Sequence, residues 1–249
     1  MMGLSAVVFG AACRDWGLHP AAAAMVALAV GGSGGALNAL LVARLRIPPL
    51  IVTLGTLGMA QGAALLLSGG INVRGAAPAE LVRTVGIGRL FGQIPYLVLI
   101  AAGVTIVGGV LLHLTQFGRY TYAIGSNAEA SRRAGIDVPR HLIKVYALSG
   151  LLAGLTGYLL LARFTTTTIE GHGTDNLQAI AAVVIGGTSL FGGRGAIFGT
   201  VVGVFIPAIL RNGFIILGIQ PFWQQVAVGA VLILAVYFDQ VKRRARERQ

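Results

Sequence analysis

Ser33 lies at the centre of a Gly-Gly-Ser-Gly-Gly string, a glycine setting in which serine hydrolases and rhomboid-like intramembrane proteases place their nucleophile. A nucleophilic serine needs a base within hydrogen-bonding reach. His19 falls near the outer end of the same apolar run and His113 at the inner end of another, while His141 and His172 fall in loops. No histidine stands midway along a run, so the sequence disfavours proteolysis.

The sequence also offers little for metal or nucleotide chemistry. Neither lysine, Lys144 nor Lys242, follows a glycine, so the Gly-Lys-Ser/Thr element of a phosphate-binding loop is missing. The four histidines have no metal-ligand spacing, and the single cysteine, Cys13, allows no intramolecular disulfide. We therefore predict no metal site and no cofactor or ATP site in this chain.

The apolar runs do contain polar but uncharged side chains that could line a path for a solute. Charged residues inside a membrane usually mark ion or proton pathways, and these runs hold almost none. The pattern favours passage of a neutral, hydroxyl-rich solute over an ion-coupled transporter, with hydrogen bonds between helices as the alternative role. The residues are Asn38, Thr53, Thr56, Gln61, Thr188, Ser189 and Gln225.

The elements that would position these residues are membrane helices. Of the 249 residues, 55% are hydrophobic and 11% are charged, whereas a soluble domain carries about 25% charged residues. The mean hydropathy is +0.80. A net charge of +11 could indicate nucleic-acid binding in a soluble protein, but here the basic residues lie between apolar runs. The composition predicts an all-α polytopic membrane protein.

Eight apolar runs predict about eight membrane crossings. A helix needs about 20 residues to cross the hydrocarbon. The first and sixth runs are short, and we expect the sixth to be tilted or to cross only in part. The runs are 1–12, 20–43, 49–67, 94–114, 145–162, 177–191, 196–217 and 222–238.

The distribution of basic residues predicts the orientation. With eight crossings and the C-terminus inside, 13 of the 19 Lys and Arg residues fall on the inner side, as the positive-inside rule requires. The basic tail, 239–249, is then cytoplasmic and suited to bind anionic lipid. Aromatic residues at the ends of runs agree: Trp16, Tyr96 and Trp223 fall outside, and Tyr120, Tyr122 and Tyr237 inside.

Glycines recur every four positions inside the runs. Helices in lipid associate through close backbone approach, which glycine permits. The predicted role is packing within the subunit, with a subunit interface as the alternative. The sets are Gly31 and Gly35; Gly58 and Gly62; Gly150 and Gly154; and Gly195, Gly199 and Gly203.

The inner stretch 115–143 contains the signals of a short helix. Ser126 and Glu129 have the spacing of a capping box, in which each side chain accepts a hydrogen bond from the other's free backbone N–H. Gly135 would end the helix. A charged helix of about two turns is marginal by itself, so we expect a partner to stabilise it by docking.

Three stretches together resemble a known family. They are 46–58 (RIPPLIVTLGTLG), 118–127 (GRYTYAIGSN) running on to 134–136 (AGI), and 179–195 (AIAAVVIGGTSLFGGRG). Over nearly its whole length the chain resembles the permease subunits of ribose/xylose-type ABC sugar importers. The resemblance implies a type II ABC importer-like bundle, formed as a single permease domain, 1–249, in the bacterial inner membrane. Such a permease moves a monosaccharide by alternating access.

The resemblance also implies partners. The permease would pair with a second copy or a homologue, with two cytoplasmic ATPase subunits that bind ATP-Mg, and with an extracytoplasmic solute-binding protein. The short helix, 126–136, would be the coupling helix that docks in a groove of the ATPase. Residues at that contact would be Asn127, Glu129, Arg132, Arg133, Gly135 and Ile136, with Gly118 and Arg119 setting the end of the preceding crossing.

Two departures from the family pattern qualify what the resemblance implies. Family members have about ten crossings, with a Gly-Ile-Asp-Leu-Ser-type segment before the part that matches here, and this chain begins after that segment. We therefore expect an N-terminal truncation, with a missing portion supplied by another polypeptide as the alternative. Asn176 and Gln178, also predicted for the solute path, are amides where many relatives have acidic residues, which weakens the argument that a carboxylate contacts the solute there. Importers of autoinducer-2, nucleosides or branched-chain amino acids share the architecture, and a passive channel is a further alternative.

Overall fold

The computed structural model describes residues 1–71, 77–166 and 175–220, and positions 223, 226, 227, 229–231, 233, 234, 237 and 240. A π-helical turn (Val82–Gly86) and a hairpin of β1 (Arg89–Leu90) and β2 (Ile94–Pro95) lie between the fourth and fifth helices. The helices are α1 (Met2–Arg14), α2 (Pro20–Ala43), α3 (Pro49–Ser68), α4 (Ala79–Leu81), α5 (Tyr96–Leu114), α6 (Gln116–Ser126), α7 (Ala128–Arg133), α8 (Val138–Phe164), α9 (Asp175–Ile185) and α10 (Ile197–Ile216).

Five of these helices, α2, α3, α5, α8 and α10, are long and apolar enough to cross a membrane. The two shorter apolar helices, α1 and α9, fall on the two runs expected to be short. The all-α polytopic fold class is therefore confirmed. Nine of the 17 positions of the eighth run are described, whereas the basic tail, 239–249, is described only at Gln240. His172 and Gln225 lie outside the described residues. The count of eight crossings stays a prediction.

Two helices have bounds that differ from the apolar runs. α8 begins at Val138 rather than at 145, because Asp137 caps it by accepting a hydrogen bond from Arg140 N at 3.1 Å. α9 ends at Ile185 rather than at 191, because Gly187 has a φ of +89° and turns the chain out of the helix. Residues 186–196 are therefore a turn between α9 and α10, which we call the α9–α10 turn.

The described chain forms two compact units. One consists of Met1–Val104 with Asp137–Gly171, and the other of Thr105–Ile136 with His172–Gln249. In the first unit, α2 and α8 pack along a ridge of small residues. The six buried residues of α2 are all alanine or glycine, and five of them recur every four positions. These five are Ala23, Ala27, Gly31, Gly35 and Ala39, and the sixth is Gly32.

The backbones of α2 and α8 touch along this ridge. A Cβ added to Gly31 would overlap the carbonyl oxygen of Gly150, and one added to Gly150 would overlap that of Gly31. A Cβ on Gly154 would lie 2.7 Å from Ala27 O. Gly58 and Gly62 differ, since nothing described lies within 4 Å of a Cβ at either position. The glycine set of α2 therefore packs against the set of α8, whereas the set of α3 contacts no described residue.

α1 completes the core of this unit. Phe9 is fully buried and packs edge-to-face on Tyr158 of α8, with ring centroids 5.1 Å apart. A Cβ on Gly157 would lie 3.0 Å from Ala6 N, so α1 also approaches α8 at backbone distance. At the far end of α8, Arg163 donates a hydrogen bond to Gly86 O at 3.2 Å and ties the π-helical turn to the helix.

Candidate functional site

The short polar helix α7 has both of its ends capped. Asn127 Oδ1 accepts a hydrogen bond from Ala130 N at 2.9 Å, so Asn127 is the N-cap. The predicted capping box with Ser126 as N-cap is wrong, because Ser126 is the last residue of α6. The helix spans Ala128–Arg133 and lies inside the predicted 126–136 segment.

The C-terminal end of α7 is closed by a Schellman motif. Gly135 has a φ of +86°, and its N–H donates to Arg132 O at 3.1 Å. Ile136 N donates to Ser131 O at 3.0 Å, the second bond of the motif. Gly135 is thus the stop that the sequence indicated, and Ile136 has a structural role in it.

The charged side chains of α7 pair with one another and stay exposed. Glu129 Oε1 accepts from Arg133 Nε at 3.3 Å, and Glu129 Oε2 lies 3.6 Å from a guanidinium nitrogen of Arg132. Exposed pairs of this kind contribute only about 0.3–0.5 kcal/mol to a helix. Their charges are therefore available to an external partner.

Helix α6 connects α7 to α5 and was not predicted from the sequence. It begins in a tight corner, because a Cβ on Gly118 would overlap the backbone of Leu112. Thr115 supports the corner by donating its hydroxyl to Leu111 O at 2.6 Å. Gly118 therefore sets the bend after α5, and the neighbouring Arg119 is exposed.

The C-terminal half of α6 lies directly against the α9–α10 turn. Tyr122 Oη donates to Gly195 O at 2.9 Å. A Cβ on Gly125 would lie 2.6 Å from Gly193 N, and one on Gly192 would lie 2.5 Å from Gly125 O. The two backbones leave no space for a side chain, so the segment immediately before α7 is joined to this turn.

Close glycine contacts hold the α9–α10 turn, α9 and α10 together. A Cβ on Gly199 would overlap the carbonyl oxygen of Gly186, and one on Gly203 would overlap that of Ala182. A Cβ on Gly195 would lie 2.8 Å from the hydroxyl of Thr188. The three glycines predicted for helix packing, at 195, 199 and 203, thus face α9 or its turn.

The residues predicted for a solute path are divided between the two compact units. Thr53 and Thr56 of α3 donate their hydroxyls to backbone carbonyls of the same helix, at 2.9 and 3.3 Å. Asn38 of α2 has a buried Oδ1 without a hydrogen-bond partner among the described residues. Gln61 and Asn176 are exposed, and Gln178 is half-buried.

Thr188 and Ser189, predicted within the sixth apolar run, lie outside the helices. Both lie in the α9–α10 turn, and Ser189 Oγ accepts a hydrogen bond from Phe191 N at 3.3 Å. Ser189 N donates to Arg194 O at 3.0 Å. Their hydrogen bonds shape the turn that contacts α6, which is a structural role.

The geometry does not support a serine nucleophile. Ser33 Oγ donates to Val30 O of the same helix at 2.9 Å. His19 caps the start of α2, where its Nδ1 accepts from Ala21 N at 3.3 Å. At 1.5 Å per residue, His19 and Ser33 are about 21 Å apart along α2. No group of three or more metal-binding side chains occurs within the described part of the chain.

Comparisons with known proteins agree with this architecture. A family model described as branched-chain amino acid transport system / permease component matches residues 1–236. The fructose import permease protein FrcC of Rhizobium meliloti is 36% identical over 245 residues, which are 96% of this chain and 68% of that protein. The ribose import permease protein RbsC of Escherichia coli K12 is 39% identical over 223 residues, 89% of this chain and 69% of that protein.

A third relative, the L-arabinose transport system permease protein AraH of Escherichia coli K12, is 37% identical over 209 residues, 84% of this chain and 63% of that protein. No solved structure matches the chain. The family match covers nearly all of the described helices, including α7 and the α9–α10 turn. The chain therefore belongs to the permease-component family of branched-chain amino acid transport systems, as a polytopic membrane protein.

Proposed function

We propose that this chain is the membrane-spanning permease subunit of an ATP-binding cassette importer that carries a monosaccharide across the bacterial inner membrane by alternating access. Relatives named for the import of fructose, ribose and arabinose support this substrate class. The chain itself supplies the path, and a separate cytoplasmic ATPase pair hydrolyses ATP-Mg. A solute-binding protein outside the membrane delivers the sugar.

The observation that carries the proposal is α7, a six-residue helix capped at both ends with its charges exposed. So short a helix is marginal in water unless it is held by its neighbours. Here the caps fix its ends. Among the described residues, its charged side chains form ion pairs only with one another. We assign it as the coupling helix, with Asn127, Glu129, Arg132 and Arg133 facing the ATPase.

The contact between α6 and the α9–α10 turn supports a route for the coupled movement. A push on α7 would pass through the end of α6 to the turn, because backbone atoms touch there with no side chain to absorb it. α9 and α10 are joined to the turn by equally close glycine contacts. On this proposal the α9–α10 pair moves with the coupling helix when the ATPase subunits close. Such a step shifts a population of conformations.

Replacing Tyr122 by phenylalanine tests this route. The change removes the hydrogen bond to Gly195 O, which contributes about 0.5–1.5 kcal/mol, without altering packing volume. We expect ATP-driven uptake to fall severalfold while the amount of protein in the membrane and the ATPase activity stay close to wild type. Tyr96→Phe, at the start of α5, is the control and should leave uptake unchanged. Equal uptake by the Tyr122 and Tyr96 variants would contradict the route.

Uptake by proteoliposomes tests the function itself. The chain is reconstituted with an ATPase and a solute-binding protein from its own organism, and labelled ribose, xylose, arabinose and fructose are supplied with internal ATP-Mg. We expect accumulation of one of these sugars only when ATP and all partners are present. Accumulation of autoinducer-2, a nucleoside or a branched-chain amino acid instead would change the substrate class. Uptake without any ATPase would identify a passive channel.

Orientation is tested with the same vesicles. On the proposed topology α7 and the C-terminus are cytoplasmic, and Trp16 is outside. Cysteine substitutions at Ala134 and Trp16 in a Cys13→Ser background should then react with an impermeant maleimide from opposite sides of the membrane. Labelling of the position 134 thiol from the periplasmic side would refute the coupling assignment.

A further inference from the structure

The hairpin before α5 ends in an aromatic residue held in a disfavoured backbone conformation. The turn is closed by a hydrogen bond from Gln93 N to Leu90 O at 3.2 Å. The two residues at the tip, Phe91 and Gly92, have φ values of +52° and +73°, the signs of a type I′ turn. Glycine, asparagine and aspartate adopt this region readily, whereas a bulky residue there is an outlier.

Phe91 contributes nothing to packing within the described chain. Its side chain is 92% exposed, the largest exposed fraction among the exposed large hydrophobic residues of the described positions. Ile87 and Ile94, which flank the hairpin, are also exposed. Strain that is kept at a position with no packing role among the described residues points to a contact beyond them.

The position of the hairpin relative to the membrane follows from α5. Tyr96, the first residue of α5, follows β2 directly, and its N–H donates to Gly88 O at 3.1 Å. The 19 residues of α5 extend about 28 Å at 1.5 Å per residue, close to the roughly 30 Å thickness of the hydrocarbon core. Tyr96 therefore lies at the boundary between the hydrocarbon and the headgroups.

The hairpin keeps its tip close to the lipid surface. Each strand has two residues, and Gly92 at the tip lies four residues before Tyr96, so the tip is at most about 13 Å from the start of α5. The headgroup layer is about 5–8 Å thick on each side. A hairpin that leans toward the membrane plane therefore places Phe91 at the level of the headgroups. No residue of α5 is buried within the described chain, so lipid has access to this end of the helix.

The chemistry of the hairpin fits a lipid surface. Arg89 in β1 and Arg83 in the π-helical turn are exposed, and a guanidinium matches the geometry of a phosphate. Aromatic side chains are stable at the interface, where one side is apolar and the other hydrated. A soluble protein partner is the alternative occupant, and it would cover Phe91 with protein instead of lipid.

We propose that the hairpin Arg89–Pro95 is an interfacial anchor, in which Phe91 inserts among the lipid headgroups while Arg89 binds lipid phosphate. The anchor fixes the depth of the first turn of α5. The occupant is the bilayer itself, and the proposal is independent of which solute the protein carries.

Fluorescence of a single tryptophan at the tip tests this proposal. Phe91→Trp is made in a Trp16→Phe, Trp223→Phe background and reconstituted in vesicles of phosphatidylcholine and phosphatidylglycerol. We expect lipids brominated near the headgroup end of the acyl chain to quench most of the emission and aqueous iodide to quench little. The matched control, Ala134→Trp in the same background, lies in the polar segment after α7 and should show the opposite pattern.

Two results would overturn the anchor. Quenching of the Phe91→Trp emission by iodide and not by brominated lipid would place the tip in water. Quenching by neither would show that protein covers it, as in a contact with a second copy or another partner.

A second variant separates anchoring from folding. Phe91→Gly should unfold in detergent at the same temperature as wild type or higher, since glycine adopts a positive φ without strain. A marked loss of stability in detergent would show that Phe91 supports the fold, and the anchor would then be rejected.

Discussion

A single methyl group added at Gly150 is expected to destabilise the folded protein by about 1–3 kcal/mol. The new Cβ would overlap the carbonyl oxygen of Gly31 and lie 3.0 Å from Gly35 Cα. These are backbone atoms and cannot rotate aside, so α2 and α8 would have to separate along the whole ridge. Thermal or denaturant unfolding of purified Gly150→Ala in detergent measures the loss.

The chain contains a matched control for this change. Gly58 also lies inside a long apolar helix, but nothing described lies within 4 Å of a Cβ at that position. Gly58→Ala should therefore be neutral or stabilising, because alanine is favoured over glycine in a helix by up to about 1 kcal/mol. If both variants lost stability equally, or if Gly150→Ala lost none, the backbone contact between α2 and α8 would be wrong.

Reversing the charge at Glu129 is expected to reduce ATP-driven uptake by about tenfold or more, equivalent to about 1.4 kcal/mol of lost coupling. Glu129→Arg would remove both ion pairs of α7 and leave arginine as its only charged residue type. Like charges brought together at an interface cost several kcal/mol, whereas the loss to the helix itself is about 0.5 kcal/mol. We therefore expect the protein to fold normally but its contact with the ATPase to be lost. Uptake and ATPase activity are measured in the same proteoliposomes.

The matched control is another exposed ion pair outside α7. Asp15 pairs with Arg14 at 2.7 Å, and both side chains are about half exposed. Asp15→Arg disrupts that pair as Glu129→Arg disrupts those of α7, yet it should leave uptake and ATPase activity at wild-type levels. Normal uptake by Glu129→Arg would remove α7 from the coupling role. A loss in both variants would indicate a general effect of added positive charge.

The membrane class and most helix positions could be read from the sequence because they depend on composition and local pattern. Seven of the eight apolar runs coincide with helices, and about half of the eighth lies beyond the described residues. The short helix in the polar stretch was also predictable, since its charged residues and the stop at Gly135 are adjacent in the chain. Its N-cap was assigned one residue too early, because Ser126 and Asn127 are both good caps and only the extent of α6 decides between them.

The site beyond α7 needed tertiary information. The bond from Tyr122 to Gly195 joins residues 73 positions apart, and no local pattern indicates such a pair. Thr188 and Ser189 were assigned to a crossing because the apolar run continues to 191. Gly187, with a positive φ, ends α9 before them. Hydropathy cannot indicate this end, because a glycine has the same hydropathy in a helix and in the left-handed region.

Taken alone, the sequence determined that this chain forms apolar helices in a membrane and carries one short, charged, capped helix between them. Hydrophobic patterns and helix caps depend on residues that are close together in the chain, so the sequence alone reveals them. Only the tertiary structure decided which glycines are contacts, since Gly31 and Gly150 meet while Gly58 and Gly62 meet nothing described. The physical reason is that a glycine contact depends on the direction each helix face points and on the chain opposite, and spacing within one helix fixes neither.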